Sequence, residues 1–141
     1  MTKRIFRSVF LASLLVFLAG LALVVGALYS YFGSRQAEQL RVEASLAARA
    51  VEAGGEGYLE GLDGGEIRLT WIAADGSVIY DTDADAGVME NHAGREEFRE
   101  ALQYGSGEGE RTSSTLGEKT VYYALRLSDG TVLRTAESHY T

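Results

Sequence analysis

The chain has 141 residues, of which 20 are acidic and 13 are basic, so its net charge is −7. All the acidic residues and ten of the basic ones follow residue 33, which gives residues 34–141 a net charge of −10. A domain this acidic repels phosphate backbones, which excludes nucleic acid as an expected partner. The absence of cysteine excludes disulfides, thiolate metal sites and cysteine nucleophiles.

The first segment of the chain has the pattern of a membrane anchor. Residues 9–32 are uncharged and mostly aliphatic, and as a helix they would span roughly 36 Å, enough to cross a hydrocarbon core roughly 30 Å thick. A basic tip precedes them at residues 1–8, so the positive-inside rule places the N-terminus in the cytoplasm and residues 35 onward outside. The alternative is a cleaved signal peptide, whose apolar core is roughly 7–15 residues long. We therefore expect an uncleaved anchor in the cell membrane.

Residues 34–53 are predicted to form a juxtamembrane helix that continues from the span. Ser34 is expected to cap its start, and Gly54 and Gly55 to end it. Apolar residues recur at spacings of three and four, at Ala37, Leu40, Ala44, Ala47 and Val51. A stripe this narrow and rich in alanine suits close packing on one neighbour. That neighbour is either the sheet of the same domain or the same helix of a second subunit, and we expect both, from different parts of the helix.

Residues 54–141 read as one α+β domain. The alternating patterns and Asp-Gly turns predict two hairpins, with strands at 67–72 and 78–80 and at 120–127 and 132–136. Residues 94–103 are predicted as a short amphipathic helix, 105–110 as a loop and 111–116 as a further strand. The expected fold is a transmembrane helix continuing into a long helix packed on an antiparallel sheet of about five strands.

Five segments of this domain carry a family resemblance. They are WIAADGSVIYDTDAD at 71–85, MENHAGREE at 89–97, RTSSTL at 111–116, VYYA at 121–124 and DGTVLR at 129–134. In this order and behind a membrane anchor, they resemble the extracytoplasmic PAS-like, Cache-related domain of bacterial sensor histidine kinases. The closest resemblance is to the phosphate-regulon type.

The resemblance implies a sensing module for transmembrane two-component signalling, acting as a homodimer. Family members continue into a second membrane span and a cytoplasmic kinase that uses ATP and phosphorylates a response regulator. We therefore expect this chain to be a fragment that carries the sensor and neither the kinase nor a cofactor of its own. The alternatives are the input domain of a chemoreceptor or of a cyclic-nucleotide enzyme, and a complete single-pass protein that binds an extracellular partner.

Two groups of side chains are candidates for ligand binding. His92 and Arg95 lie three residues apart before the short helix, where an imidazole and a guanidinium would suit a carboxylate or phosphate ligand. Related sensor domains that bind organic acids have a similar pair near this place in the fold. Arg111, Tyr122 and Arg126 are expected to face the same cavity from the sheet. The alternative is a purely structural role, in which His92 packs in a loop and Arg95 pairs with nearby glutamates.

The second group is the acidic segment that contains Asp81, Asp83 and Asp85. Its alternating aspartates are similar to the first half of a calcium loop, which also requires glycine at position six and glutamate at position twelve. Those positions hold Ala86 and His92 here. We therefore expect the aspartates to hydrogen-bond local backbone groups, and we keep calcium as the weaker alternative.

Overall fold

The computed structural model describes residues 1–62, 67–112 and 118–140. It divides the chain into two units, Met1–Glu38 and Gln39–Thr141. Helix α1 spans Thr2–Gly54 without interruption, so residues 34–53 continue the preceding helix as predicted. Ser34 does not cap a helix start, because its hydroxyl donates to the carbonyl of Ser30 within the helix. Among the described residues, α1 is the one helix long and apolar enough to cross a membrane, and its most apolar stretch is not buried in protein. A short helix, α2, follows at Glu56–Glu60, after Gly55 takes a positive φ of 60°.

The second unit is built on a five-stranded antiparallel sheet. Its strands are β1 (Arg68–Ile72), β2 (Val78–Asp81), β3 (Ser106–Thr112), β4 (Glu118–Arg126) and β5 (Val132–Tyr140). They lie in the order β2-β1-β5-β4-β3. Strand β5 is therefore central, and it joins the N-terminal hairpin to the C-terminal strands through its pairing with β1. The α+β class and the five-stranded antiparallel sheet are confirmed.

Both faces of the sheet are covered by helices. On one face, the buried stripe of α1 packs against Leu69, Leu127 and Leu133. The buried residues of α1 are Leu40, Ala44, Ala47, Ala48 and Val51, close to the predicted stripe. The other face is covered by helix α3 (Glu96–Tyr104), from which Phe98 and Ala101 pack against Ile72, Ala124 and Val132. The alternating strand pattern thus separates two hydrophobic clusters, one on each side of the sheet.

Strand β3 corrects one prediction from the sequence. Residues 105–110 were expected to be a loop because they are charged and rich in glycine, but Ser106–Thr112 is a strand paired along its whole length with β4. Gly105 is the left-handed cap of α3, with φ at 94°. A side chain at Gly107 would collide with the carbonyl oxygen of Glu97, so glycine there lets α3 approach the strand. Of the strand predicted at 111–116, residues 113–116 lie outside the described residues.

Candidate functional site

A cleft of about 260 Å³ lies on the α3 side of the sheet, near the N-terminal end of that helix. The sheet contributes four lining side chains, Arg68, Arg111, Tyr122 and Arg134, and the segment leading into α3 contributes Met89, Glu90, His92 and Arg95. Arg68 and Tyr122 both lie opposite Ala136, which is two residues from Arg134 on β5. Arg111 lies opposite Thr120, two residues from Tyr122 on β4, so all four share one face of the sheet. Four arginines therefore meet in one small cleft of a domain whose net charge is −10.

The structure brings together four of the five residues that the sequence singled out for ligand binding. His92, Arg95, Arg111 and Tyr122 all line the cleft. Arg126 does not, because it lies four residues beyond Tyr122 on β4, roughly 13 Å further along the strand. Its guanidinium is exposed and donates a hydrogen bond to the carbonyl of Leu102, near the C-terminal end of α3. The expectation that Arg126 faces the same cavity is wrong, whereas the binding role of the other four stays a prediction.

Glu97 is the buried anion beside this cleft. Its side chain is 0% exposed and accepts hydrogen bonds from Arg111, at 2.8 and 2.5 Å, and from Arg134, at 3.2 Å. Burial alone would raise the pKa of the Glu97 carboxyl, but the hydrogen bonds and charges of the two arginines outweigh it and lower the pKa below its usual value. Glu97 is therefore ionised at neutral pH, and its negative charge holds two of the four arginines.

The position of Glu97 depends on a glycine opposite it. A β-carbon at Gly109 would lie 2.6 Å from Oε2 of Glu97, so the missing side chain leaves the space that the carboxylate fills. Gly109 and Arg111 are two residues apart on β3 and so share one face of the strand. The strand thus provides both the space for the carboxylate and one of its two cationic partners.

The arginines of the cleft differ in how many of their donors have a hydrogen-bond or ion-pair partner. The side chain of Arg134 is 5% exposed and its Nη2 donates to Thr70, yet its Nε is buried and has no hydrogen-bond partner in the part of the chain that the structure describes. Arg68 is committed to Asp81, to which its Nε donates at 3.0 Å. Arg95 makes no ion pair with any described residue, so the proposed pairing with nearby glutamates is not seen there. Two of the guanidinium groups that line the cleft, those of Arg95 and Arg134, therefore have donors without a partner among the described residues.

His92 is buried beside these charges. Its Nδ1 lies 2.7 Å from the carbonyl oxygen of Glu90, so Nδ1 carries the proton and donates. Burial first, and then the positive charges of Arg134 and Arg95, lower the pKa of His92 below its usual value, against the opposing effect of the Glu90 hydrogen bond. The imidazole is consequently neutral at pH 7, and it becomes a second donor toward the cleft only in acid.

The acidic segment is occupied by its own hydrogen bonds. The carboxylate of Asp81 accepts from Arg68, from the hydroxyl of Thr70 at 2.7 Å, and from the backbone amides of residues 83 and 84 at 2.9 Å. Asp85 caps the short turn at Ala86–Val88 by accepting from Gly87. Among the residues that the structure describes, no group of three or more potential ligands is placed to hold a metal ion. The local hydrogen bonding expected for this segment is what the structure has.

Among the residues in and beside the cleft that sequence reasoning missed are Arg68, Glu97 and Arg134. Each is a charged residue in a segment where charge usually marks a solvated surface. The one signal available was Gly109, since a glycine in a strand often marks the close approach of another group.

In comparisons with known proteins, no protein family matches the chain and no curated protein is significantly similar to it.

Proposed function

We propose that this chain is the extracytoplasmic input module of a membrane-bound sensor, and that the arginine-lined cleft is where it binds its signal. The observation that carries the proposal is the concentration of positive charge in the cleft. Four arginines converge in about 260 Å³, although the unit around them is strongly acidic. Placing like charges together costs free energy, and such clusters are found where a ligand of opposite charge offsets that cost.

The sensor histidine kinase of the phosphate-regulon type is the class that we favour. The sequence segments at 71–85, 89–97 and 129–134 support it by their resemblance. The five-stranded antiparallel sheet with a helix on each face is compatible with it. A fold is compatible with many functions, so the proposal depends on the cleft and not on the sheet alone.

In this proposal the signal leaves the sensor through α1. The sheet rests on the buried stripe of α1, and the same helix includes the apolar span at residues 9–32. A change in the sheet that shifts this stripe would therefore reach the proposed membrane segment through a single continuous helix. The basic tip places the N-terminus in the cytoplasm and the cleft outside the cell.

The binding step is tested with the full chain in lipid nanodiscs by isothermal titration calorimetry against phosphate, sulfate and short dicarboxylates. We expect one of these anions to bind, and Arg95→Gln to weaken that binding about tenfold, because it removes a charge with no internal partner. Arg99→Gln is the matched control, since Arg99 is exposed one turn further along α3. Absence of binding by every anion, or equal loss in both variants, would contradict the proposal.

We also propose that the sensor is a homodimer that associates through α1. Val42 and Leu46 are 48% and 60% exposed and lie outside the buried stripe of α1, so they form an apolar surface available to a second copy. The chain contains no cysteine, so single cysteines at 42 and 46 can be cross-linked in membranes without background. Cysteines at the buried positions 44 and 47 are the controls. Cross-linking at no position between 34 and 53 would exclude a dimer of this kind.

A further inference from the structure

We infer that the cleft selects small dianions over monoanions of the same shape, and that Glu97 sets this preference. This inference rests on the proposed function, because it names the class of ligand that the cleft would take. It follows from a charge count, from the donors left without partners and from the size of the cleft.

The charge count leaves two positive charges uncompensated. Of the four arginines, Arg68 is paired with Asp81, and Arg111 and Arg134 share the single carboxylate of Glu97. The charge of Arg95 has no counterpart among the described residues. His92 is neutral at pH 7 because its pKa is lowered. Glu90 also borders the cleft, but it is exposed, so water and salt screen its charge.

The unused donors point to an oxyanion. The guanidinium of Arg95 lines the cleft and makes no ion pair with any described residue, and Arg134, whose Nε has no hydrogen-bond partner among the described residues, lines it as well. Arg95 is the N-terminal cap of α3, and its side chain does not cap the helix. The positive end of the α3 dipole therefore lies near the same cleft, although Glu96 and Glu97 in the first turn offset part of it. Acceptor oxygens on a ligand would satisfy these donors together.

The size of the cleft restricts the ligand to small molecules. At about 260 Å³ it is smaller than the pockets that hold drug-sized ligands, which are roughly 300–1,000 Å³. A tetrahedral oxyanion or a short dicarboxylate fits that volume. Sulfate and hydrogen phosphate each carry two negative charges, which would balance the two uncompensated positive charges of the cleft.

Glu97 limits the positive charge that is available to the ligand. Its carboxylate is held by two arginines and lies in the space left by Gly109, so it is a fixed part of the site. Replacing it with glutamine keeps its shape and leaves three uncompensated charges in place of two. We expect Glu97→Gln to tighten sulfate binding by about tenfold, because a nearby negative charge in a partly buried site is removed.

The experiment compares sulfate with perchlorate, which is also tetrahedral but carries a single charge. Both are titrated at pH 7.5 and constant ionic strength into the full chain in nanodiscs, as wild type, Glu97→Gln and Glu96→Gln. We expect sulfate to bind the wild type at least about tenfold more tightly than perchlorate. Glu96→Gln removes the same charge from an exposed neighbour, so it is expected to change sulfate affinity by less than about twofold.

Each outcome has a distinct meaning. Equal affinity for sulfate and perchlorate would overturn the preference for dianions and leave the cleft as a general anion site. Weaker sulfate binding in Glu97→Gln would show that the carboxylate positions the arginines and does not limit their charge. If Glu97→Gln fails to fold, the comparison of the two ions in the wild type still decides the preference. Failure of sulfate, phosphate and dicarboxylates alike to bind would remove the proposed ligand site itself.

Discussion

Two buried carboxylates, those of Asp81 and Glu97, contact the same sheet but differ in the groups that surround them. Asp81, at the end of β2, is held by one arginine, one hydroxyl and two backbone amides that follow it in sequence. Glu97, in the first turn of α3, is held by two arginines from strands β3 and β5. Both side chains are 0% exposed, and both carboxyl groups have lowered pKa values.

The difference lies in what remains after pairing. Around Asp81, one positive charge meets one negative charge, and the remaining partners are neutral, namely the Thr70 hydroxyl on β1 and two backbone amides of the following turn. Around Glu97, two guanidinium groups meet one carboxylate, and the Nε of Arg134 stays without a partner. Asp81 therefore closes a local structure, whereas Glu97 belongs to a cluster that still has positive charge and donors to offer a ligand.

The largest effect that tests this contrast is the loss of either carboxylate. Glu97→Gln leaves Arg134, whose side chain is 5% exposed, without its anion, so we expect it to lower the free energy of unfolding by about 3–5 kcal/mol. Asp81→Asn leaves Arg68, whose side chain is 35% exposed, so we expect a smaller loss. Sulfate should restore a larger share of the loss in Glu97→Gln than in Asp81→Asn, because Arg68 also lines the cleft but is partly exposed, so solvent screens its freed charge. Urea unfolding of the full chain measures this through Trp71, the single tryptophan, which lies on β1. Equal rescue of both variants would remove the distinction between the two sites.

A smaller effect is expected from filling the space that Glu97 occupies. Gly109→Ala places a methyl group about 2.6 Å from the Glu97 carboxylate, so the carboxylate must move away from its arginines. We expect a loss of about 1–3 kcal/mol in the free energy of unfolding. Gly57→Ala is the control, because nothing lies within 4 Å of the added carbon. The cost of Gly109→Ala should fall in a Glu97→Ala background, and an unchanged cost would contradict the assigned contact.

The effect of pH is smaller again and comes from His92. Its pKa is lowered in the folded protein, so the unfolded chain binds the proton more readily, and stability falls as pH drops below about 6.5. The slope cannot exceed about 1.4 kcal/mol per pH unit for one group. Sulfate should oppose this loss, because the protonated imidazole gains a donor and a charge beside the cleft. His92→Asn should reduce the difference in the free energy of unfolding between pH 7 and pH 5. His139 is present in both proteins, so it does not account for a difference between them.

The smallest expected effect is that of calcium on the acidic segment. The Asp81 carboxylate already accepts from four groups, and Asp85 caps a turn, so neither is available without breaking native hydrogen bonds. We expect 5 mM CaCl₂ to leave the melting temperature of the full chain within about 1 °C of that in MgCl₂. A clear rise that is specific to calcium would revive Asp81, Asp83 and Asp85 as ligands.

The sequence predicted the parts of this fold that depend on local pattern. The hairpins followed from alternating residues and Asp-Gly turns, and the α1 stripe from its spacing of three and four. Strand β3 did not follow, because its pairing with β4 outweighs the low strand propensity of its glycines. The sequence did not predict all the residues of the cleft. Arg134 lies there because β5 pairs with β1, which puts Arg134 opposite Thr70. Register between strands far apart in sequence leaves no local pattern.

The central place of β5 has a consequence for the order of folding. Each hairpin closes a short loop, but the pairing of Thr70 with Arg134 joins positions 64 residues apart, so it carries the larger entropy cost and is expected to form late. The cleft draws its arginines from both sides of that junction and does not exist before it forms. A bound anion should therefore slow unfolding and leave the folding rate nearly unchanged. The proposed ligand would thus raise the kinetic stability of a domain that has already folded.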